Sequence, residues 1–401
     1  MDKTKLFLKE VKKYSKDKET PFLVLNLDLI KRNYESLQKQ MPFAQIYYAV
    51  KANPHKEVLS LLNKKGSNFD VATIYELQKL LQLGVTADKI SFGNTIKKHQ
   101  DIAYFYKKGV RLFVTDSHSD LKKIAHYAPK SNVFFRLSVD GAGADWELSK
   151  KFGAHHDLII ELAQEAKKVG LKPYGLSFHV GSQQRDVEQW DNALSQCKSI
   201  FKNLEHKGIN LKMINLGGGL PSQYLIPTPS LTHYTKKIAG YLKKYFGKDL
   251  PKILIEPGRY MVGNSGIIVT ETILIAKKSE SLPHKWLYVD AGIYQGLDEC
   301  IAESLEYPIK TEKNSLHKTE YIIAGPTCDS HDILYERRKY KLSSSIKEGS
   351  RVYFLSTGAY SYQVSSIEFN GFPPLKVYIL EDLKRSKDKI KDKKIKIKNK
   401  K

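Results

Sequence analysis

The sequence predicts an α/β protein, a (β/α)8 barrel followed by an antiparallel β domain. Three observations carry that reading. From about residue 23 to residue 258, short runs rich in Val, Ile, Phe and Tyr alternate with amphipathic stretches, as in a parallel sheet with crossover helices. Eight such runs occur, the number that closes a barrel. Beyond about Met261 the runs follow one another without full helices between them, which reads as antiparallel β structure.

In order, the barrel runs are residues 46–50, 68–72, 90–93, 112–115, 133–138, 175–179, 213–216 and 253–255. The first five begin 21 or 22 residues apart, room for one strand, one loop and one helix. Ile74, Leu77, Leu80 and Leu81 form one helical stripe, and Ile159, Ile160, Leu162 and Ala166 another. The last three units are longer and leave room for inserted helices. The second domain has runs at 266–275, 286–290, 320–323 and 352–355. The resulting plan is an N-terminal segment packing with the β domain (1–22), the barrel (23–262), the β domain (263–382) and a basic disordered tail (383–401).

Composition narrows the function classes. With 401 residues and 41% hydrophobic content, global disorder is excluded. No apolar run approaches the roughly 18 to 20 residues of a membrane span. The opening residues carry Lys and Asp and no signal-like apolar stretch, so a cytoplasmic protein is expected. Cys197, Cys300 and Cys328 form neither a disulfide framework nor a zinc spacing, and no metal is expected. The net charge of +23 invites a nucleic-acid reading. Yet 57 lysines stand against nine arginines, and residues 384–401 alone hold 11 basic and 2 acidic groups. Arg is the better reader of phosphates and bases, so a solvated lysine-rich surface is favoured. Salt-dependent polyanion contact by the tail is the subsidiary reading.

A barrel enzyme keeps its reactive groups at the C-terminal ends of its strands. The runs end in Lys51, Asp70, Asn94, Asp116, Arg136, His179, the triplet Gly217, Gly218 and Gly219, and Glu256. One polar or glycine ending is ordinary, but eight together locate a mouth. A lysine at a partly dry strand end has a lowered pKa and forms Schiff bases; a snorkelling surface lysine competes with that reading. Three glycines let backbone amides surround a phosphate, or merely make a tight turn. In Glu256-Pro257-Gly258-Arg259, Glu256 suits a protonated ring nitrogen, and Gly258 and Arg259 suit a phosphate; a rim ion pair is the alternative. An imidazole at the height of His179 can stack on a planar cofactor, with Ser182 beside a phosphate; a satisfied structural histidine is the competing reading. Cys328 and Asp329, in a Gly-Pro turn of the second domain, pair a thiol acid or nucleophile with a carboxylate for a cation; a buried inert cysteine is the competing reading. Jointly these groups describe pyridoxal phosphate.

Seven stretches in order carry a family resemblance: Tyr48-Ala49-Val50-Lys51-Ala52-Asn53, Phe69-Asp70-Val71-Ala72, Phe178-His179-Val180-Gly181-Ser182, Gly217-Gly218-Gly219, Glu256-Pro257-Gly258-Arg259-Tyr260, Gly325-Pro326-Thr327-Cys328-Asp329 and Phe369-Asn370-Gly371-Phe372. From about Pro21 to Leu380 the chain resembles the group IV pyridoxal-phosphate decarboxylases of alanine-racemase-like fold. Within them it is similar to the ornithine or lysine/ornithine decarboxylase branch. Diaminopimelate enzymes usually follow this cysteine with Glu-Ser, where this chain has Asp329-Ser330. Biosynthetic arginine decarboxylases of the fold are much longer, which counts against them.

The resemblance implies decarboxylation of L-ornithine to putrescine for polyamine synthesis, with lysine decarboxylation to cadaverine as the nearest alternative. A non-catalytic homologue is disfavoured because Lys51, Glu256, Arg259 and Cys328 are all present. The implied assembly is a homodimer in which Cys328 and Asp329 reach the partner's barrel. By the same resemblance, Lys51 holds the cofactor covalently, Glu256 keeps its ring nitrogen protonated and His179 stacks on the ring. Ser182, Gly219, Arg259 and Tyr360 hold the phosphate, while Asp70, Glu76 and Arg136 shape the surroundings. Cys328 protonates the α-carbon, and Tyr294, Glu303 and Asp329 meet the substrate. Two positions depart from the family. Asn215 replaces an aspartate often found before the glycines, a change expected to matter little. Glu303 replaces an aspartate and is expected to shorten the pocket in favour of ornithine.

Overall fold

A computed structural model describes residues 3–146, 151–313 and 315–398. The chain divides into two compact units. The β unit comprises Met1–Ile30, Gln223–Pro227 and Val262–Lys401, and the barrel unit Lys31–Ser222 and Thr228–Met261. The N-terminal share of the β unit therefore extends past the expected boundary at residue 22. The cause is visible in the pairing. After helix α1 (Lys3–Tyr14), strand β1 (Phe22–Leu25) is buried along its whole length and joins the β sheet. Helix α2 (Leu27–Gln40) then leads into the barrel unit.

The barrel unit runs through β2 (Ala44–Ala49), α3 (Lys56–Lys64), β3 (Asn68–Val71), α4 (Ile74–Gln82), β4 (Ile90–Phe92), α5 (His99–Lys107), β5 (Leu112–Thr115), α6 (His118–Tyr127) and β6 (Asn132–Arg136). It continues with β7 (Ala144–Trp146), α7 (His156–Lys168), β8 (Lys172–Ser177), β9 (Ser182–Gln184), α8 (Glu188–His206), β10 (Met213–Asn215), α9 (Leu231–Phe246), β11 (Lys252–Ile255) and α10 (Gly258–Val262). Eight of these strands pair in parallel and close, β11 against β2, into one barrel; β7 and β9 form a separate two-stranded ribbon. Closure explains the apolar runs, because a barrel strand is covered by helices outside and side chains inside. Inside, Tyr47, Val114, Phe134, Met213 and Leu254 pack into one cluster. The expected stripes lie on α4, where Leu77 and Leu80 are buried, and on α7, where Ile159, Leu162 and Ala166 are buried.

The β unit adds β12 (Gly266–Ala276), β13 (Lys285–Val289), β14 (Ile309–Thr311), β15 (Lys318–Ala324), β16 (Ile333–Ser343), β17 (Arg351–Leu355), β18 (Lys376–Ile379) and α11 (Leu380–Lys398). The expected antiparallel sheet is in fact mixed: β13 pairs β15, and β1 pairs β18, in parallel. A long crossover separates β13 from β15, and β1 comes from the far end of the chain, so no tight hairpin enforces reversal. The expected disordered tail is also corrected over residues 383–398, where the chain continues as α11, while residues 399–401 lie outside the described residues. Leu380 and Leu383 join a core cluster with Phe7, Val11, Ile267 and Val269. Lys384 pairs with Glu10 at 2.7 Å, and Lys387 with Asp17 at 3.2 Å. Among the described residues no helix is long and apolar enough to cross a membrane.

Candidate active site

The barrel unit brings most of the expected groups to its strand ends. Lys51 sits in a 3-10 turn, Val50–Ala52, directly after β2. Val50 and Ala52 are fully buried, while Lys51 is exposed rather than half-dry as expected. Its positive charge acts on Asp70, Glu76 and His179. Asp70, at 3% exposure, accepts a hydrogen bond from the Ser91 hydroxyl at 2.6 Å. Burial, then the neighbouring Glu256 carboxylate, raises its pKa well above the usual range. Burial also raises that of Glu76. Glu76 has a local duty too: its carboxylate accepts the Ala72 N–H at 2.7 Å, while the Thr73 hydroxyl accepts the Glu76 N–H at 3.3 Å, capping α4. Asn94 and Asp116 likewise serve loops, bonding to Ala72 O and Gly153 N.

Opposite these acids stand two arginines. Arg136 ends β6 and faces Glu256, Asp116 and Asp70; burial pulls its pKa down and the acids push it back up. Arg259, at 5% exposure, donates from Nε to the Ser182 hydroxyl at 3.1 Å. The glycine triplet lies between. A Cβ on Gly217, whose φ is +64°, would meet Phe178 O at 2.0 Å. One on Gly218 would sit 2.8 Å from His179 Nε2, and one on Gly219 2.7 Å from Val180 Cγ2. Only glycine lets this backbone lie so close to the histidine and valine loop.

His179 is fixed as a neutral ring. Its Nδ1 accepts the Gly181 N–H at 3.1 Å, which leaves the proton on Nε2. Burial, reinforced by Arg136, Lys51 and Arg259, pushes its pKa down to about 3. A neutral imidazole suits packing on a planar ring. The lowered value also predicts a pH effect. Between about 3 and 6.5 the unfolded chain binds a proton at this histidine that the folded chain does not. Stability of the cofactor-free protein should therefore rise with pH across that window and fall as acid is added. Urea melts of wild type and His179→Asn should differ in slope there; equal slopes would contradict the assignment.

Asn215, the last residue of β10, is completely buried. Its Nδ2 donates to Glu256 Oε1 at 2.6 Å, and its Oδ1 accepts the Gly217 N–H at 2.9 Å. The substitution expected to matter little thus joins the glycine triplet to the carboxylate.

The β unit carries the second group of residues. Tyr294 donates its hydroxyl to Asp329 Oδ2 at 2.5 Å and packs on Phe369, with ring centroids 4.4 Å apart. The His331 N–H, then the Tyr294 hydroxyl and the His331 ring, hold the Asp329 carboxyl down to about 2. Asp329 is therefore an anion at any physiological pH. Next to it, Cys328 is exposed, and its N–H is held at 3.1 Å by Asn370 Oδ1. Sequence reasoning missed the residue that organises this corner. Asp332, 2% exposed, accepts from Ile293 N at 2.9 Å, Thr327 N at 3.1 Å and the Thr327 hydroxyl at 2.7 Å. It ties the turn before Tyr294 to the turn bearing Cys328; its only sequence signal was a second acid three residues after Asp329. Tyr360 follows β17 with a φ of +48°.

Glu303 is held by β16. Its Oε1 accepts from Glu336 N at 2.9 Å and Arg337 N at 2.6 Å, and its Oε2 from Arg338 N at 2.9 Å. Burial pushes its pKa up, but the three N–H donors and the Arg337 charge outweigh that and hold it low. The carboxylate thus holds three successive N–H groups in the middle of β16.

The barrel residues fit pyridoxal phosphate. Lysine, a neutral histidine, an anchored carboxylate, a glycine backbone free of Cβ atoms and a buried arginine with a serine match aldehyde, ring, ring nitrogen and phosphate in turn.

Comparison with known proteins agrees. The family profile described as pyridoxal-dependent decarboxylase, pyridoxal binding domain, matches residues 27–263. The lysine/ornithine decarboxylase of Selenomonas ruminantium is 32% identical over 387 residues, 95% of each chain. The solved structure of SrLDC with PLP and cadaverine superposes with a TM-score of 0.85 at 31% identity, covering 96% of both chains. The arginine decarboxylase of Paramecium bursaria Chlorella virus gives 0.86 at 26% identity, over 94% of this chain and 100% of that one. That full coverage removes chain length as an argument against arginine. The protein belongs to the pyridoxal-dependent decarboxylases, as an amino-acid decarboxylase that works with pyridoxal phosphate.

Proposed function

We propose that the enzyme decarboxylates L-ornithine to putrescine in cytoplasmic polyamine synthesis, as a homodimer in which Cys328 and Asp329 of each protomer serve the partner's barrel. The observation that carries the basic-amino-acid reading is Asp329, kept ionised beside Cys328 and aligned by the Tyr294 hydroxyl at 2.5 Å. A fixed carboxylate recognises a distal ammonium. When bound, pyridoxal phosphate supplies a ring that draws in the electron pair left by departing carbon dioxide. The chain's own residues bind and orient. Lys51 offers its exposed amine, Glu256 accepts at the ring nitrogen, and neutral His179 covers one face. Ser182, Gly219, Arg259 and Tyr360 take the phosphate, with Arg136 and Asp70 setting the surrounding field. Cys328 returns a proton to the α-carbon.

A second reading, mixed activity on lysine and ornithine, is favoured by Glu303. With its oxygens committed to β16, it does not shorten the pocket, and one methylene is worth only about 1–3 kcal/mol of discrimination. Glu303→Gln should lower stability by about 1–2 kcal/mol through lost backbone acceptors. It should also leave the ornithine-to-lysine ratio of kcat/KM within about threefold. A change beyond tenfold would return Glu303 to the pocket. The decisive assay is carbon dioxide release from ornithine, lysine, arginine and diaminopimelate in parallel. Release from arginine or diaminopimelate alone would defeat the substrate reading.

A further inference from the structure

We propose that Asn215 is a positioning residue that holds Glu256 as a hydrogen-bond acceptor, so that the proton shared between Glu256 and the cofactor ring stays on the ring. The inference rests on Glu256 being the partner of the ring nitrogen. The Gly217 N–H can only donate, so the Asn215 atom facing it at 2.9 Å is the oxygen. That fixes the other end of the amide. Nδ2, which can only donate, points at Glu256 Oε1 at 2.6 Å. A third bond, Glu256 N–H to Gly217 O at 2.8 Å, closes a ring of three residues on the ends of β10 and β11. Asn215 is completely buried, so water does not compete and the amide has no reason to turn over. A donor fixed on Oε1 makes that oxygen an acceptor, and Oε2 remains for the ring nitrogen.

An aspartate at 215 has no donor unless it carries a proton. Asn215→Asp would imitate the amide only while the two acids share one proton. Once that proton leaves, two carboxylates face each other at hydrogen-bond distance and the geometry fails. The other charged groups facing Glu256 are Asp70 from the end of β3, which adds repulsion, and Arg136 from the end of β6, which opposes it. Lys51 acts on Asp70, and His179 stands beside Gly218 as a neutral ring. These groups are shared by wild type and variants, so ratios of variant to wild type isolate position 215.

The test is the dissociation constant of pyridoxal phosphate from cofactor-stripped wild type, Asn215→Asp and Asn215→Leu, titrated by absorbance from mildly acidic to mildly alkaline pH. Asn215→Leu should bind about tenfold or more weakly at every pH. Asn215→Asp should match wild type on the acid side and fall about tenfold or more behind on the alkaline side. An Asn215→Asp curve parallel to wild type, or an Asn215→Leu protein binding normally, would overturn the proposal. If Asn215→Leu does not fold, the isosteric aspartate variant carries the test, because normal acid-side binding certifies its fold. The binding pattern without turnover of any amino acid in the panel would defeat the proposed substrate and leave this inference standing.

Discussion

Replacing Lys51 by alanine should lower kcat by at least about a thousandfold on every amino acid that wild type decarboxylates. The reason is specific to this amine. Lys51 is exposed at the mouth beside Asp70, Glu76 and His179, where it can attack an aldehyde. Lys97, in the loop after β4, cannot replace it. Its ammonium is spent on Asn94 O at 2.8 Å, Val114 O at 2.7 Å and Asp120 Oδ2 at 2.6 Å. Borohydride treatment of wild type should fix the cofactor irreversibly, whereas the variant should release it on gel filtration. Because Lys51 is exposed, the cofactor-free variant should unfold within about 0.5 kcal/mol of wild type, which separates a chemical role from a structural one. Residual turnover near the wild-type rate, or cofactor fixed in the variant, would refute the assignment.

What the sequence made legible follows from burial. A barrel strand is apolar on both faces, so eight of them stand out, and a polar or glycine residue that ends each run marks the mouth. β16 was illegible for the opposite reason. Its centre, Glu336-Arg337-Arg338-Lys339, is exposed, since an edge strand with one free side carries charges that discourage further pairing. The tail misled because lysine density resembles disorder; Leu380 and Leu383, which dock it on α1, are only two apolar residues at its start. Among the site residues, those at strand ends were readable by position. Where a carboxylate points was not. Glu303 is turned by N–H groups 33 to 35 residues further on, and Asn215 gains its meaning from Glu256, 41 residues away. Such partners are set by the closed sheet and leave no local pattern.

Lys97→Met should be among the most destabilising single changes in the barrel unit, by about 3–5 kcal/mol, equivalent to a fall in Tm of the order of 10 °C. The side chains of Lys97 and Asp120 are 0% and 4% exposed and meet at 2.6 Å. Removing the ammonium strands a buried carboxylate with only the Thr115 hydroxyl at 2.8 Å and Lys123 at 3.5 Å. It also leaves the carbonyls of Asn94 and Val114 without this donor, so the loop after β4 loses its tie to β5 and α6. The pair itself is another matter. Burial holds the Lys97 pKa below the usual lysine value even though Asp120 pulls it upward. A lysine whose pKa is lowered on folding costs stability while it is protonated, and that cost eases as pH rises past the lowered value. Taking both partners out of water offsets much of the attraction within a buried pair, and the single variant is costly because it leaves half of the pair behind. Lys97→Met combined with Asp120→Leu should accordingly recover most of the loss. Denaturant melts of the two singles and the double complete the cycle. A double variant as unstable as Lys97→Met, or a Lys97→Met protein as stable as wild type, would show that the loops at the mouth are held by something other than this buried pair.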